Sequence, residues 1–225
     1  MQIKIASVDS LIIYFGDTIS KEINQKVKGA YIHLNKLNDK SILELVPSYN
    51  SILITYDIFK YDYESMKSYL EDELSKVSID EENETKLITV DVYYGKEVGL
   101  DLQRIADIHK ISIQEVINIH SSKIYDVYTI GFLPGFAYLG EADKTIQTPR
   151  LESPRKKIAK NSVAIADAQT AVYPIDSPGG WNILGKTAFN FFDKSLSTLS
   201  PIDINTQIKF NPITKDKFLN QGGIL

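Results

Sequence analysis

Apolar residues change their spacing once along this chain, near residue 86. Residues 3–15 (IKIASVDSLIIYF) read as two short strands around a Val8-Asp9-Ser10 turn. Gly16-Asp17-Thr18 then reads as a stop and a helix cap, and Ile19, Ile23, Val27, Tyr31, Leu34 and Leu37 recur every three or four residues, one face of a helix. Ile42–Val46 and Ser51–Tyr56 flank the turn residues Pro47-Ser48-Tyr49-Asn50 as a hairpin, and Tyr63, Met66, Leu70, Leu74 and Val77 mark a second helix. The order ββαββα predicts a small two-layer α+β domain over residues 1–86, with helices on one face of an antiparallel sheet. Asp80–Glu84 reads as a solvated linker at its end.

Beyond that point the period shortens. Leu87–Tyr94 alternates as a strand, Leu100–His120 reads as a pair of short helices, and after Ile124 strands and Gly/Pro turns run almost to the end. Ten of the 12 glycines and seven of the 8 prolines lie at or after Gly95, the composition shift that sets the boundary. Residues 87–225 are therefore expected to form a mainly-β domain closed as a barrel, since many short strands need closure to hide their edges.

Charge and composition narrow the function. The 225 residues carry 25 Lys+Arg against 29 Asp+Glu, net −4, so the molecule as a whole offers no attraction to nucleic acid or an anionic membrane. With no cysteine, disulfides, thiolate catalysis and Cys-ligated zinc are excluded, in keeping with a reducing compartment. The longest uncharged run, Val127–Gly140, is broken by Pro134 and falls short of the about 20 apolar residues that span a bilayer. MQIKIASVDS has no basic-then-apolar leader, and the expected location is cytoplasmic.

Several motifs read as structural. Gly180–Thr187 (GWNILGKT) matches G-x-x-x-x-G-K-T, but Ala188-Phe189-Asn190-Phe191 alternates after it like a strand where a phosphate loop must enter a helix. Asp101–His120 has helix-turn-helix spacing with a Ser112/Glu115 capping box, yet its second helix carries no cation for DNA. His33, His109 and His120 lack metal-ligand spacing, so no metal site is expected.

The dense signal is Ile130–Thr187. GFLPGFAYLG spends three glycines, a proline and three aromatics in ten residues. Thr148-Pro149-Arg150 and Ser153-Pro154-Arg155 then set two arginines on stiff, proline-stiffened backbone, a pairing suited to a carboxylate or phosphate. Gln169, Thr170, Tyr173, Ser177 and Trp181 follow as polar and aromatic wall candidates, and His120 is the candidate for proton transfer near neutral pH.

In order and spacing, IHSS, IGFLPGFAYLG, TPRLESPR, NSVAIA, QTAVYP and SPGGWNILGKT resemble the KipI/PxpB family, also called allophanate hydrolase subunit 1. The resemblance is dense over residues 120–187. It departs at Asp167, Ala168 and Ala171, where the family usually has glycine, and at Lys186, where it commonly has arginine. It implies a small N-terminal α+β domain followed by a cyclophilin-like β-barrel, and the role of the B subunit in an ATP-dependent 5-oxoprolinase. Such a protein works with a homologous barrel partner, the C subunit, and a lactam-cleaving partner, the A subunit; it uses ATP with Mg2+ in the assembled complex and is inactive alone. On that reading Arg150, Arg155, Gln169, Thr170, Tyr173, Ser177 and Trp181 bind substrate, and His120 is catalytic. The family also implies two alternatives: an inhibitor that docks on a sporulation-type histidine kinase, or a component of a urea- or allophanate-processing complex.

Overall fold

The computed structural model describes residues 1–77 and 85–225 and divides the chain into two units, Met1–Glu84 and Thr85–Leu225. The expected acidic linker at Asp80–Glu84 lies outside the described residues.

In the first unit β1 (Gln2–Ile5), β2 (Ser10–Tyr14), α1 (Lys21–Leu37), β3 (Ile42–Pro47), β4 (Ser51–Tyr56) and α2 (Tyr63–Ser75) follow in the expected order. The antiparallel sheet runs β1-β2-β4-β3, with Ile13 opposite Ile52 and Leu11 opposite Ile54. All four are buried, as are Val27 and Leu34 of α1 and Met66 and Leu70 of α2. The start of α1 differs from expectation. Ser20, with extended backbone, accepts a hydrogen bond from the Ile23 amide and caps the helix in place of Thr18, so Ile19 lies outside the helix and is exposed.

The second unit holds β5 (Lys86–Tyr93), α3 (Leu102–His109), α4 (Ile113–Ser122), β6 (Ile124–Ile130), β7 (Ala137–Gly140), β8 (Arg155–Ile158), β9 (Ser162–Ala166), β10 (Gln169–Val172), β11 (Ser177–Gly179), β12 (Asn182–Thr187), β13 (Thr206–Pro212) and α5 (Lys215–Asn220). Seven strands close a barrel in the order β10-β7-β6-β13-β5-β12-β9, while β8 and β11 pair as a separate ribbon. Among the described strands of the closure, β5 and β13 are the parallel pair, an arrangement that brings residues about 120 positions apart into register: Val90 faces Phe210.

Alternation along the strands creates two apolar layers. Val163 and Ile165 of β9, Val172 of β10 and Leu184 of β12 join the barrel interior, together with Leu102 and Ile105 of α3 and Val116 of α4. The helical pair is thus a plug of the barrel core, and its Ser112/Glu115 capping box is present in full. Ala164, Ala166, Ala171 and Ile183 face the other way and support a second cluster with Phe136, Tyr173 and Trp181. This two-residue period assigns the strand residues of the Ile130–Thr187 stretch to one layer or the other.

Candidate functional site

The second cluster is built around Phe136. Its ring meets those of Phe132 (5.4 Å), Tyr138 (4.8 Å), Tyr173 (5.3 Å) and Trp181 (5.7 Å), all steeply inclined to it, the geometry favoured by aromatic quadrupoles. Phe136 and Tyr173 are buried and Trp181 nearly so, whereas Phe132 is 62% exposed and Tyr138 half-buried. The layer therefore has an aromatic floor and an accessible aromatic rim. Gly135, at φ 81°, lets the loop carry Phe136 inward, and Phe132 stands outward at φ 71°.

Arg150 completes the surface. It is exposed, and its guanidinium lies 5.7 Å from the centre of the Trp181 ring. The segment before it is tightly fixed. The Asn182 side-chain amide donates to the Pro149 carbonyl (3.0 Å) and to that of Ile165 (3.3 Å), the Asp167 amide donates to the Thr148 carbonyl (2.9 Å), and Arg104 from α3 donates to the Asn182 side-chain oxygen. Burial pushes the pKa of the Tyr173 hydroxyl up to about 12, so it stays a neutral phenol. The result is a rigid aromatic surface edged by one cation, suited to a flat apolar ring that carries an anionic group.

The other expected site residues are placed differently. Arg155 does not stand beside Arg150 as a second free guanidinium: it makes a two-pronged salt bridge to Asp101 (2.8 and 2.9 Å), which is 4% exposed and also accepts the Ile183 amide (2.7 Å). Its charge is committed to holding β8 against the start of α3. Thr170 shares the inward face of β10 with Val172 and is fully buried, so it lines the barrel interior rather than a substrate wall. Ser177 is nearly buried in the β8–β11 ribbon, and Gln169 is half-buried at the start of β10.

His120 is the main correction. It is fully buried, stacked on Phe210 at 4.7 Å, and both ring nitrogens are used. Thr170 donates its only hydroxyl proton to the Ala164 carbonyl (2.9 Å), so it accepts from His120 Nε2 (2.9 Å), and Nδ1 is left to accept the Tyr94 hydroxyl (2.8 Å). The neutral Nε2–H tautomer satisfies every partner, and burial holds the pKa down to about 3. This histidine ties α4 to two barrel strands and is not placed to exchange a proton with a substrate.

Asp101, Arg104 and Asn182 were not recognised as site residues from sequence. The available signal was Asn182 at a strand position between Trp181 and Ile183, where a buried amide needs backbone partners. The G-x-x-x-x-G-K-T stretch forms β12, whose residues pair with β9 and β5. Its backbone is committed to the barrel, and it does not form a phosphate loop.

A family model, carboxyltransferase domain, subdomain C and D, matches residues 1–202. The chain is 36% identical over 201 residues to the B subunit of 5-oxoprolinase from Bacillus subtilis (strain 168), covering 85% of this chain and 84% of that one. Among solved structures, TTHA0988 matches 91% of this chain with TM-score 0.81 and 26% identity, and this chain spans only 40% of its length. The Kluyveromyces lactis urea carboxylase matches 97% of this chain and 22% of that chain with TM-score 0.75, but at 17% identity it shares the fold alone. With the family model spanning both units and the B subunit of Bacillus subtilis 36% identical over most of both chains, the chain belongs to the carboxyltransferase domain C and D family, in the KipI/PxpB group that its motifs resemble.

Proposed function

We propose that this chain is the B subunit of an ATP-dependent 5-oxoprolinase, acting with a homologous barrel partner (the C subunit) and a lactam-cleaving partner (the A subunit). The observation that carries the reading is Arg150 set over Trp181 at the edge of an aromatic surface, in a chain whose relatives are named as the B subunit of 5-oxoprolinase. 5-Oxoproline is a compact lactam ring bearing one carboxylate. Its ring matches the rim of Phe132 and Tyr138, and its carboxylate matches the Arg150 guanidinium.

An amide is a poor electrophile, and ATP with Mg2+ would supply the activation in the assembled complex. β12 offers no phosphate cradle, and among the described residues no group of three or more His, Asp or Glu side chains could hold a metal ion, so this reading assigns no nucleotide site to β12. The part assigned to this chain is to bind and orient the lactam and to exclude water with its aromatic surface. The urea- and allophanate-processing alternative has support only from a shared fold.

The test is co-expression with candidate C and A subunits, then measurement of 5-oxoproline-dependent ADP and glutamate release. Arg150→Ala should raise the KM for 5-oxoproline roughly ten- to a hundredfold, and Arg150→Lys should restore part of the loss. Unchanged kinetics in Arg150→Ala would remove the anion-site reading.

A further inference from the structure

Arg150 stands beside the Trp181 ring because the residues flanking one are bonded to the residues flanking the other. On one side the Leu151 amide donates to the Gly180 carbonyl (2.7 Å), and on the other the Asn182 side-chain amide donates to the Pro149 carbonyl (3.0 Å). The first bond is backbone pairing, open to almost any sequence. The second is made by a side chain standing in for a backbone donor, so it depends on residue 182 being an amide and on which way that amide faces.

Three neighbours fix its sense. The carbonyls of Pro149 and Ile165 can only accept and the Arg104 guanidinium of α3 can only donate, so Nδ2 faces the carbonyls and Oδ1 faces Arg104. Asn182 is fully buried, and without Arg104 its oxygen would be left unsatisfied. Arg104 is half-buried and makes no ion pair among the described residues, so the Asn182 oxygen is the acceptor its guanidinium meets. The same helix grips the segment a second time. Thr148 gives its hydroxyl proton to the Ile146 carbonyl (2.9 Å) and therefore accepts from His109 Nε2 (3.0 Å).

We infer that Asn182 is a positioning residue of the anion site and that Arg104, acting through Asn182, holds the Pro149 carbonyl and so sets the Arg150 guanidinium against Trp181. The inference rests on Arg150 as the carboxylate anchor, and it adds a second arginine, from α3, that works through the first. Arg104 thus takes a part in the site that the salt bridge to Asp101 denies to Arg155.

The experiment measures KM and kcat for 5-oxoproline in the co-expressed complex carrying wild type, Arg104→Met, Arg150→Ala or both substitutions. Methionine keeps the aliphatic stem and removes the donor. Arg104→Met should raise KM about fivefold or more with kcat within about twofold, yet add less than about twofold to Arg150→Ala, because nothing remains to be positioned once Arg150 is gone. Arg104→Lys, which keeps a donor, should recover part of the loss. Thermal unfolding of each variant checks the fold, and Arg104→Gln repeats the comparison with a shorter polar side chain if Arg104→Met does not fold. An equal rise in KM from Arg104→Met in both backgrounds, or no rise beside native Arg150, would overturn the inference. The geometry is read separately in the full chain, whose one tryptophan is Trp181. Its indole N–H resonance should move in the same direction in Arg104→Met and Arg150→Ala, since each takes the cation off the ring. An indole that moves in Arg150→Ala but not in Arg104→Met would overturn the positioning role. Unchanged KM in Arg150→Ala would instead remove the carboxylate anchor, and the indole comparison would still decide whether Arg104 positions Arg150.

Discussion

Arg150 and Arg155 carry the same local sequence, a proline followed by an arginine, yet removing each should have opposite consequences. Arg150 is exposed beside Trp181, so Arg150→Ala should act on substrate dependence with little effect on stability. Arg155→Ala leaves the Asp101 carboxylate buried without its counter-charge and should destabilise the barrel by about 3 kcal/mol, read as a lower denaturation midpoint. Equal stability of the two variants would contradict this division of roles. His120 gives a pH signature. Its folded pKa, near 3, lies below the ordinary 6.5, so the unfolded chain takes up a proton first and stability is lost as pH falls below about 6.5. Between pH 6.5 and 5.5, where ordinary carboxylates hardly titrate, the loss should be about 1 kcal/mol, and His120→Gln should abolish it in denaturant titrations at the two pH values.

Among the elements, the β8–β11 ribbon controls the aromatic surface more than its size implies. Gly179 of β11 sits where a β-carbon would collide with the Tyr173 hydroxyl and approach Ile158 to 2.8 Å. Gly179→Ala should therefore cost about 1–3 kcal/mol and, by shifting Tyr173 within the cluster that also holds Trp181, alter the tryptophan fluorescence of the folded protein. An unchanged spectrum and midpoint would show that the ribbon can move away freely. The β9–β10 turn illustrates a different accommodation: Asp167, one of the departures from the family's glycines, adopts φ 50°, a left-handed conformation that aspartate tolerates better than most side chains. Ala171 is fully buried among Phe136, Tyr173 and Trp181, so its methyl group fills space in the second cluster.

At the scale of the molecule, the aromatic surface offers binding groups without a nucleophile among its described residues, and the buried His120 is fully engaged. The chain purified alone is accordingly expected to show no 5-oxoproline-dependent ATP hydrolysis, with activity appearing only on mixing with its partners. Robust turnover by the lone chain would sink the proposed division of labour. No described helix is long and apolar enough to cross a membrane.

Local sequence determined the elements themselves. Apolar residues every three or four positions marked α1 and α2, alternation marked the strands, and Ser112 with Glu115 marked the start of α4, because these patterns reflect helix and strand geometry within a few residues. Clustered glycines, prolines and aromatics also pointed to the stretch that carries Arg150 and Trp181. What such patterns do not encode is the partner of a side chain across the fold. Asp101 lies 54 residues from Arg155, and His120 lies 50 from Thr170, so whether a charge is free or matched, and whether a histidine meets water or a barrel core, depends on how the strands close. Only the tertiary structure decided that one proline-set arginine faces solvent while the other is bound to a buried carboxylate, because the packing of segments distant in the chain brings Asp101 within hydrogen-bonding distance of Arg155 and leaves Arg150 at the surface.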